Sequence, residues 1–163
     1  MIFLLAGLAL ANPYEGRETD VLAEAALKSS PQRVFLYLSD VRRYGQLYTD
    51  DCGRNFSTST DPNGTGAATQ FVHKAGPLSR KLVAVISRAE EHHLVEIDHG
   101  GGRGFITRFT IEPVGEGSAV SMKSYQNMPP WPVRGIYFNK VQPAWQGCQQ
   151  RMLANLQQTL SEG

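Results

Sequence analysis

The spacing of apolar and polar positions changes period several times along the chain. A period of two over Thr19–Leu27 gives way to a helical period from Pro31 to Tyr48. The period of two returns between Asn55 and Gln126, and a helical period ends the chain. A period of two is typical of β-strands, and a period near 3.6 is typical of helices. The pattern predicts an α+β domain that ends in one long helix.

Two short helices are predicted after the first strand. Ser30 followed by Pro31 is a helix-start signature, because serine caps the helix and proline needs no hydrogen-bond acceptor in the first turn. We expect the first helix to end near Leu38. Ser39 and Asp40 then start a second short helix, which runs from Val41 to about Leu47.

The central part of the chain predicts a meander of antiparallel strands. The turn cluster 61–66 (DPNGTG) separates two alternating segments and favours a hairpin. Similar turns separate the segments that follow. The predicted strands are 55–60, 67–74, 82–88, 94–98, 105–112 and 119–126. With the first strand, they make a seven-stranded antiparallel sheet.

The last segment predicts an amphipathic helix. Its apolar positions recur at steps of four and three, as Val141, Trp145, Cys148, Met152, Leu156 and Leu160. The opposite face is predicted to carry Gln149, Gln150, Asn155 and Gln158. Because Pro143 falls in the first turns, we expect the helix to kink there or to begin just beyond it.

Size and charge restrict the class of protein. With 163 residues, the chain is long enough to bury one hydrophobic core, and we expect a single domain over residues 17–163. The formal net charge is +1, and the lysines and arginines are spread along the chain. This distribution argues against a nucleic-acid partner.

The N-terminal segment 1–16 begins with an apolar run. Residues 1–11 end in Ala9-Leu10-Ala11, which fits the small-residue rule for signal peptidase, but no basic residue precedes the run. A membrane-spanning helix needs about 20 apolar residues, so we predict no transmembrane span. Either the segment is a truncated signal peptide or it packs on the domain. We expect export to the periplasm or outside the cell in the first case, and a cytoplasmic protein in the second.

The two cysteines also provide information on whether the protein is exported. A bond between Cys52 and Cys148 would suit an oxidising compartment, but the sequence cannot place the two residues close together. We therefore favour two unpaired thiols, with Cys148 a small apolar residue of the helix. Neither cysteine has the spacing of a metal or redox motif.

The order of these elements resembles the SRPBCC superfamily of START-like and polyketide cyclase/dehydrase-type proteins, which have the helix-grip fold. The resemblance covers about residues 17–163. It rests on the segments 28–40 (KSSPQRVFLYLSD), 105–119 (FITRFTIEPVGEGSA) and 153–160 (LANLQQTL). It implies a curved sheet that grips the terminal helix around an apolar cavity. Many members carry a tryptophan in the second short helix, where this chain has Tyr44 and Tyr48.

Strand alternation indicates which side chains face that cavity. Phe105, Thr107, Phe109 and Ile111 share one face, which we expect to look inward. Our candidates for the cavity lining are Tyr44, Tyr48, Phe71, Phe109 and Trp145. The remaining aromatic residues that could add to its wall are Phe105, Trp131, Tyr137 and Phe138.

The favoured function is binding or transport of a small hydrophobic or amphipathic molecule of the lipid, polyketide or isoprenoid class. One alternative is a cyclase or dehydratase that uses an acid–base group in the same cavity, with Glu96, Arg108 or His73 as candidates. Another is an interaction protein whose cavity has closed. We predict no cofactor, and the spacing of the four histidines predicts no metal site.

Overall fold

The computed structural model describes residues 21–58, 61–100, 105–126, 129 and 131–162. The strands are β1 Val21–Leu27, β2 Gly53–Thr58, β3 Ala68–Ala75, β4 Leu78–Glu90, β5 Leu94–His99, β6 Phe105–Val114 and β7 Gly117–Gln126. The helical elements are α1 Pro31–Leu38, a 3₁₀ turn Val41–Arg43, α2 Tyr44–Leu47, α3 Arg134–Ile136, a π turn Tyr137–Val141 and α4 Gln142–Ser161.

The strands form one curled antiparallel sheet in the order β1-β7-β6-β5-β4-β3-β2. From β2 to β7 each strand pairs with the next along the chain, and β1 closes the far edge beside β7. Helix α4 packs across the inner face of this sheet. The predicted α+β helix-grip architecture with seven strands is confirmed.

The short helices form where the capping residues predict them. The Ser30 hydroxyl accepts a hydrogen bond from the Arg33 amide, and Pro31 opens α1. The Asp40 carboxylate accepts a hydrogen bond from the Arg42 amide at 3.0 Å and so caps the 3₁₀ turn. It also forms an ion pair with the Arg42 guanidinium at 2.7 Å.

Strand β4 is longer than predicted. It begins at Leu78 rather than near Leu82, because the turn after β3 is very tight. Gly76 makes this turn at φ +58°, a conformation that disfavours side chains. A Cβ on Gly76 would lie 2.9 Å from the Lys140 carbonyl oxygen, so the turn also packs closely on the π turn.

The terminal helix departs from the prediction near Pro143. Helix α4 begins at Gln142 and directly continues the π turn, so Pro143 lies in its first turn rather than before its start. The irregular backbone is the π turn upstream of the proline. The predicted stripe is buried from Trp145 to Leu160, but Gln149 is fully buried as well. The prediction that Gln149 is on the solvent face is wrong, because it lies one turn from Trp145.

The preference for unpaired thiols is also wrong. Cys52 and Cys148 form a disulfide with a Cα–Cα distance of 5.5 Å. The loop after α2 passes beside the first half of α4, which brings the two cysteines together. Further contacts hold this junction: Arg151 pairs with Asp51 at 2.7 Å, and the Asn155 amide donates to the Leu47 carbonyl at 3.2 Å.

The N-terminal segment 1–16 lies outside the described residues. Among those that are described, no helix has the length and apolar character needed to cross a bilayer.

Candidate functional site

The inner face of the sheet carries the side chains that alternation predicts. Phe105, Thr107, Phe109 and Ile111 of β6 are buried, and the Phe105 ring lies 5.3 Å from Trp145 of α4. The register places His99 of β5 directly opposite Phe105, and Ile97 opposite Thr107. His99 therefore belongs to the inner face, together with His73 of β3.

A cluster of aromatic and histidine rings fills the space between the sheet and the first half of α4. The His99 ring stacks on Phe105 with centroids 4.2 Å apart. The His73 ring lies 4.5 Å from Phe105 and contacts Trp145 of α4 edge-on at 4.4 Å. Phe71 lies 5.8 Å from His99 and closes the other side. We call these five residues the ring cluster.

A short row of polar side chains lies on the same inner face. The hydroxyls of Thr107 and Ser124 are 3.1 Å apart on neighbouring strands. The Gln149 amide nitrogen of α4 donates to the Ser124 hydroxyl at 2.6 Å. All three residues are buried. The row fixes the rotation of α4 on the sheet, since the amide must reach Ser124.

Several buried polar atoms of this region have no hydrogen-bond partner among the described residues. They are both ring nitrogens of His99, Nδ1 of His73, Oε1 of Gln149 and the Tyr48 hydroxyl. A buried polar group without a partner costs about 1–3 kcal/mol. So many in one place mark a region that gives up stability, as binding and active sites do.

Burial keeps both inner histidines neutral. Desolvation, with a smaller contribution from the positive charge of Arg80, lowers the pKa of His73 to about 4. Desolvation also lowers the pKa of His99 well below its ordinary value of 6.5. Each neutral ring has one donor and one acceptor nitrogen, so the pair can hydrogen-bond with a neutral or an anionic polar group.

A narrow cleft leads towards the ring cluster. This cleft between the β3–β4 hairpin, the ends of β6 and β7 and the start of α4 has His73, Phe105 and Trp145 in its wall. Leu78, Arg80, Leu82, Gln126 and Val141 complete its lining. Its volume is about 40 Å³, whereas ligand pockets usually measure roughly 300–1,000 Å³. The cleft thus has room for a water or two, and a larger guest requires its side chains to move.

A larger groove lies on the outer face of the sheet, across β1, β7 and β6. Its volume is about 370 Å³, and Glu24 and Glu112 border a floor of small side chains that includes Ala26, Thr110, Ala119 and Ser121. With two carboxylates and little apolar depth, this groove does not suit an apolar guest.

The five predicted lining residues are all buried, but they do not occupy equivalent positions. Trp145 and Phe71 belong to the ring cluster, and Tyr48 packs on Phe71 with centroids 4.4 Å apart. Phe109 lies deeper in the core. Tyr44 donates its hydroxyl hydrogen to the Leu38 carbonyl at 2.9 Å. Their role as ligand contacts stays a prediction.

Two of the three acid–base candidates lie on the wrong side of the sheet. Glu96 and Arg108 are cross-strand neighbours on the outer face, where the guanidinium pairs with the carboxylate at 2.7 Å. The Ser87 hydroxyl also donates to Glu96. A group facing away from the cavity cannot act inside it, so only His73 of the three can do so. Its inward position follows from its place beside Phe71 on β3.

The positions of two aromatic residues and one histidine differ from those expected from the sequence. The expectation that Trp131 and Phe138 add to the cavity wall is wrong, since they are 82% and 36% exposed. Sequence reasoning misses His99 because it weighs the four histidines as metal ligands and does not assign His99 to a face of its strand. The signal that identifies His99 is its position two residues after Ile97, on the same face of the strand.

Comparisons with known proteins agree with the fold. No protein-family model matches the chain, and no curated protein sequence is significantly similar to it. The solution structure of KanY protein superposes with a TM-score of 0.75 at 17% identity, covering 90% of this chain and 99% of that one. The crystal structure of TTHA0849 from Thermus thermophilus gives 0.66 at 16% identity, covering 88% and 98%.

A third structure, the Aha1 dimer from Colwellia psychrerythraea, gives a TM-score of 0.58 at 15% identity, covering 88% of this chain and 96% of that one. Similarity at this level of identity establishes the fold alone. These neighbours fit a helix-grip fold for this chain.

Proposed function

We propose that this chain binds a small amphipathic molecule between the inner face of the sheet and the first half of α4. The observation that carries the proposal is the set of buried, unpartnered ring nitrogens on His73 and His99 within an aromatic wall. A guest with an apolar body and one polar group would satisfy both features. The lipid, polyketide and isoprenoid classes predicted from the sequence share this chemistry.

The guest would enter through the cleft. Its lining includes the half-buried Leu82 and the buried Phe105 and Trp145. Because the cleft measures only about 40 Å³, binding would require these side chains to swing apart. Burial of the apolar body would supply most of the affinity, at about 25 cal/mol per Å².

Intrinsic fluorescence tests this proposal directly. The chain has two tryptophans, so Trp131→Phe leaves Trp145 in the cleft wall as the only reporter. We expect anilinonaphthalene sulfonate, an amphipathic probe, to quench Trp145 in a saturable way. Leu82→Phe should narrow the cleft and weaken binding at least tenfold. Leu22→Phe, on the exposed part of β1, is the matched control and should leave binding unchanged.

Equal quenching in both leucine variants would contradict binding in the cleft. Mass spectrometry of molecules released on denaturing the purified protein is an independent check. We expect a small amphipathic compound that Leu82→Phe no longer retains.

A second candidate function is acid–base catalysis by His73. The observation that favours it is an imidazole in the cleft wall that burial keeps neutral, and whose Nδ1 has no partner among the described residues. We expect a general base of this kind to accelerate exchange of the acidic C–H of ethyl acetoacetate with deuterated water, followed by NMR. His73→Gln should abolish the acceleration, and His92→Gln on the β4–β5 turn should not.

The third alternative, an interaction protein with a closed interior, is favoured by the small size of the cleft and by exposed apolar side chains next to it.

We further propose that the chain is exported. The Cys52–Cys148 disulfide supports this, since such bonds persist in oxidising compartments. Alkylation in intact cells would test it: labelling of either cysteine without prior reduction would contradict export.

A further inference from the structure

The segment 131–141, which we call the docking segment, exposes an unusual amount of apolar surface. Trp131 is 82% exposed, Ile136 58%, Val133 46% and Phe138 36%. They are four of the eight large apolar side chains that are exposed in the described part of the chain. These four side chains lie within eight consecutive residues, in the turn 131–133, α3 and the π turn, and we call their exposed surface the patch. Exposed apolar side chains concentrated in this way mark an interaction site.

The patch is held against the body of the protein. Tyr137 is buried within the same segment, and the adjoining Phe138 ring lies 5.3 Å from it. The β3–β4 turn approaches the Lys140 carbonyl closely at Gly76. The docking segment is therefore anchored from below while its apolar side chains face outward.

The two charged residues of the docking segment are both positive. Arg134 and Lys140 are exposed within the docking segment, and Arg80 lies on the neighbouring cleft wall. Between Glu116 and Glu162 the sequence contains no acidic residue. Within the described ranges, none of these three cations lies within 4 Å of a carboxylate. The Arg134 Nε donates to the Pro129 carbonyl at 3.4 Å, which leaves its charge uncompensated.

We propose that the docking segment binds the surface of an anionic membrane. Trp131, Ile136 and Phe138 would enter the headgroup region, and the three cations would contact lipid phosphates. Tryptophan favours this interface because its ring is apolar with one polar edge. Exposed aromatic and aliphatic side chains flanked by lysine and arginine are the composition that binds such surfaces, and each cation adds about 1 kcal/mol.

The position of the docking segment adds a consequence that rests on the proposed ligand binding. Val141, its last residue, lines the cleft. A protein docked through this segment would hold the cleft against the membrane, where an amphipathic guest could enter from the lipid. Membrane binding itself does not require a guest, so the two proposals can fail separately.

Co-sedimentation of the full chain with lipid vesicles tests the docking. We expect binding to vesicles of phosphatidylglycerol and phosphatidylcholine in equal parts, weaker binding at high salt, and little binding to phosphatidylcholine alone. Trp131 emission should shift to the blue on binding, and Trp131→Phe should remove that shift. Arg134→Gln/Lys140→Gln should weaken binding about 30-fold, the equivalent of about 1 kcal/mol per cation.

Replacement of the exposed apolar side chains is the second part of the vesicle experiment. Trp131→Ser/Ile136→Ser/Phe138→Ser should abolish sedimentation. The matched control for the apolar side chains is Leu36→Ser/Val114→Ser, because Leu36 and Val114 are 65% and 58% exposed elsewhere on the protein. The matched control for the charges is Lys28→Gln/Arg33→Gln. Both controls should bind like the unaltered chain. Circular dichroism establishes that each variant is folded.

Two results would overturn the proposal. One is vesicle binding that is unchanged in the charge and the apolar variants. The other is an unaltered chain that ignores vesicles but self-associates through the patch, seen as a dimer in light scattering that the triple serine variant abolishes. In that case the surface is an interface between copies of this chain.

Discussion

The two halves of α4 face very different parts of the core. The second half presents Met152, Leu153, Leu156 and Leu160, all buried in the same apolar cluster as Val34, Leu38 and Leu47. The first half presents Trp145 and Gln149 to histidines, hydroxyls and unpartnered polar atoms. One helix thus packs for stability at one end and gives up stability at the other. Sites that bind or react are drawn from the less stable regions of a protein.

The largest expected effect comes from the disulfide at the boundary between the two halves. Cys52→Ala/Cys148→Ala opens a loop whose ends are 96 residues apart in sequence. We expect the free energy of unfolding to fall by about 4–5 kcal/mol, because the unfolded chain regains the freedom that the bond removes. Urea denaturation with and without a reducing agent measures this. The double variant should be insensitive to the reducing agent, and equal stability of both proteins would show that the bond does not form.

A substitution in the second half of α4 should have the next largest effect. Leu156 is fully buried among apolar neighbours, so Leu156→Ala should lower the free energy of unfolding by about 3 kcal/mol through lost burial and the cavity it leaves. Gln157→Ala, one residue further on the exposed face, is the control and should cost well under 1 kcal/mol. A small effect of Leu156→Ala would mean that this end of the core is loosely packed, and the comparison of the two halves would fail.

The stability that depends on the first half of α4 should instead change with pH. In the folded chain the pKa of His73 is lowered to about 4 and that of His99 well below 6.5, so the unfolded chain binds more protons between these values. The free energy of unfolding should therefore be at its full value above pH 6.5. It should fall as the pH is lowered from there, by up to about 1.4 kcal/mol per pH unit for each histidine.

Denaturation between pH 7 and pH 5 measures this slope before the carboxylates titrate. The double variant His73→Gln/His99→Gln should flatten the dependence of the free energy of unfolding on pH. Each single variant should remove about half of the slope. The matched control is His92→Gln/His93→Gln on the β4–β5 turn, which should keep the full slope. A slope carried by the control pair would place the titrating groups outside the core.

The sequence predicted the fold better than the site, for reasons visible in particular residues. Periodicity and capping are local, so Ser30, Pro31 and the alternation of β6 sufficed for the elements and their order. The Cys52–Cys148 bond depends on a loop crossing α4, which no local pattern encodes. Gln149 looks like a surface residue until Ser124 is seen opposite it. Trp131 and Phe138 look like core residues by type, and only their position at the edge exposes them.

The smallest predicted effect also has the opposite sign. His99→Phe replaces a buried ring, whose two nitrogens lack partners among the described residues, by an apolar ring that can keep the stack on Phe105. Removing that penalty should raise the free energy of unfolding by about 1 kcal/mol. The reverse exchange, Phe109→His in the apolar part of the same face, should lower it by a larger amount. If His99→Phe instead destabilises the protein as strongly as Leu156→Ala does, the His99 imidazole is paired in solution. The first half of α4 would then be ordinary core, and the ligand proposal would lose the feature on which it is built.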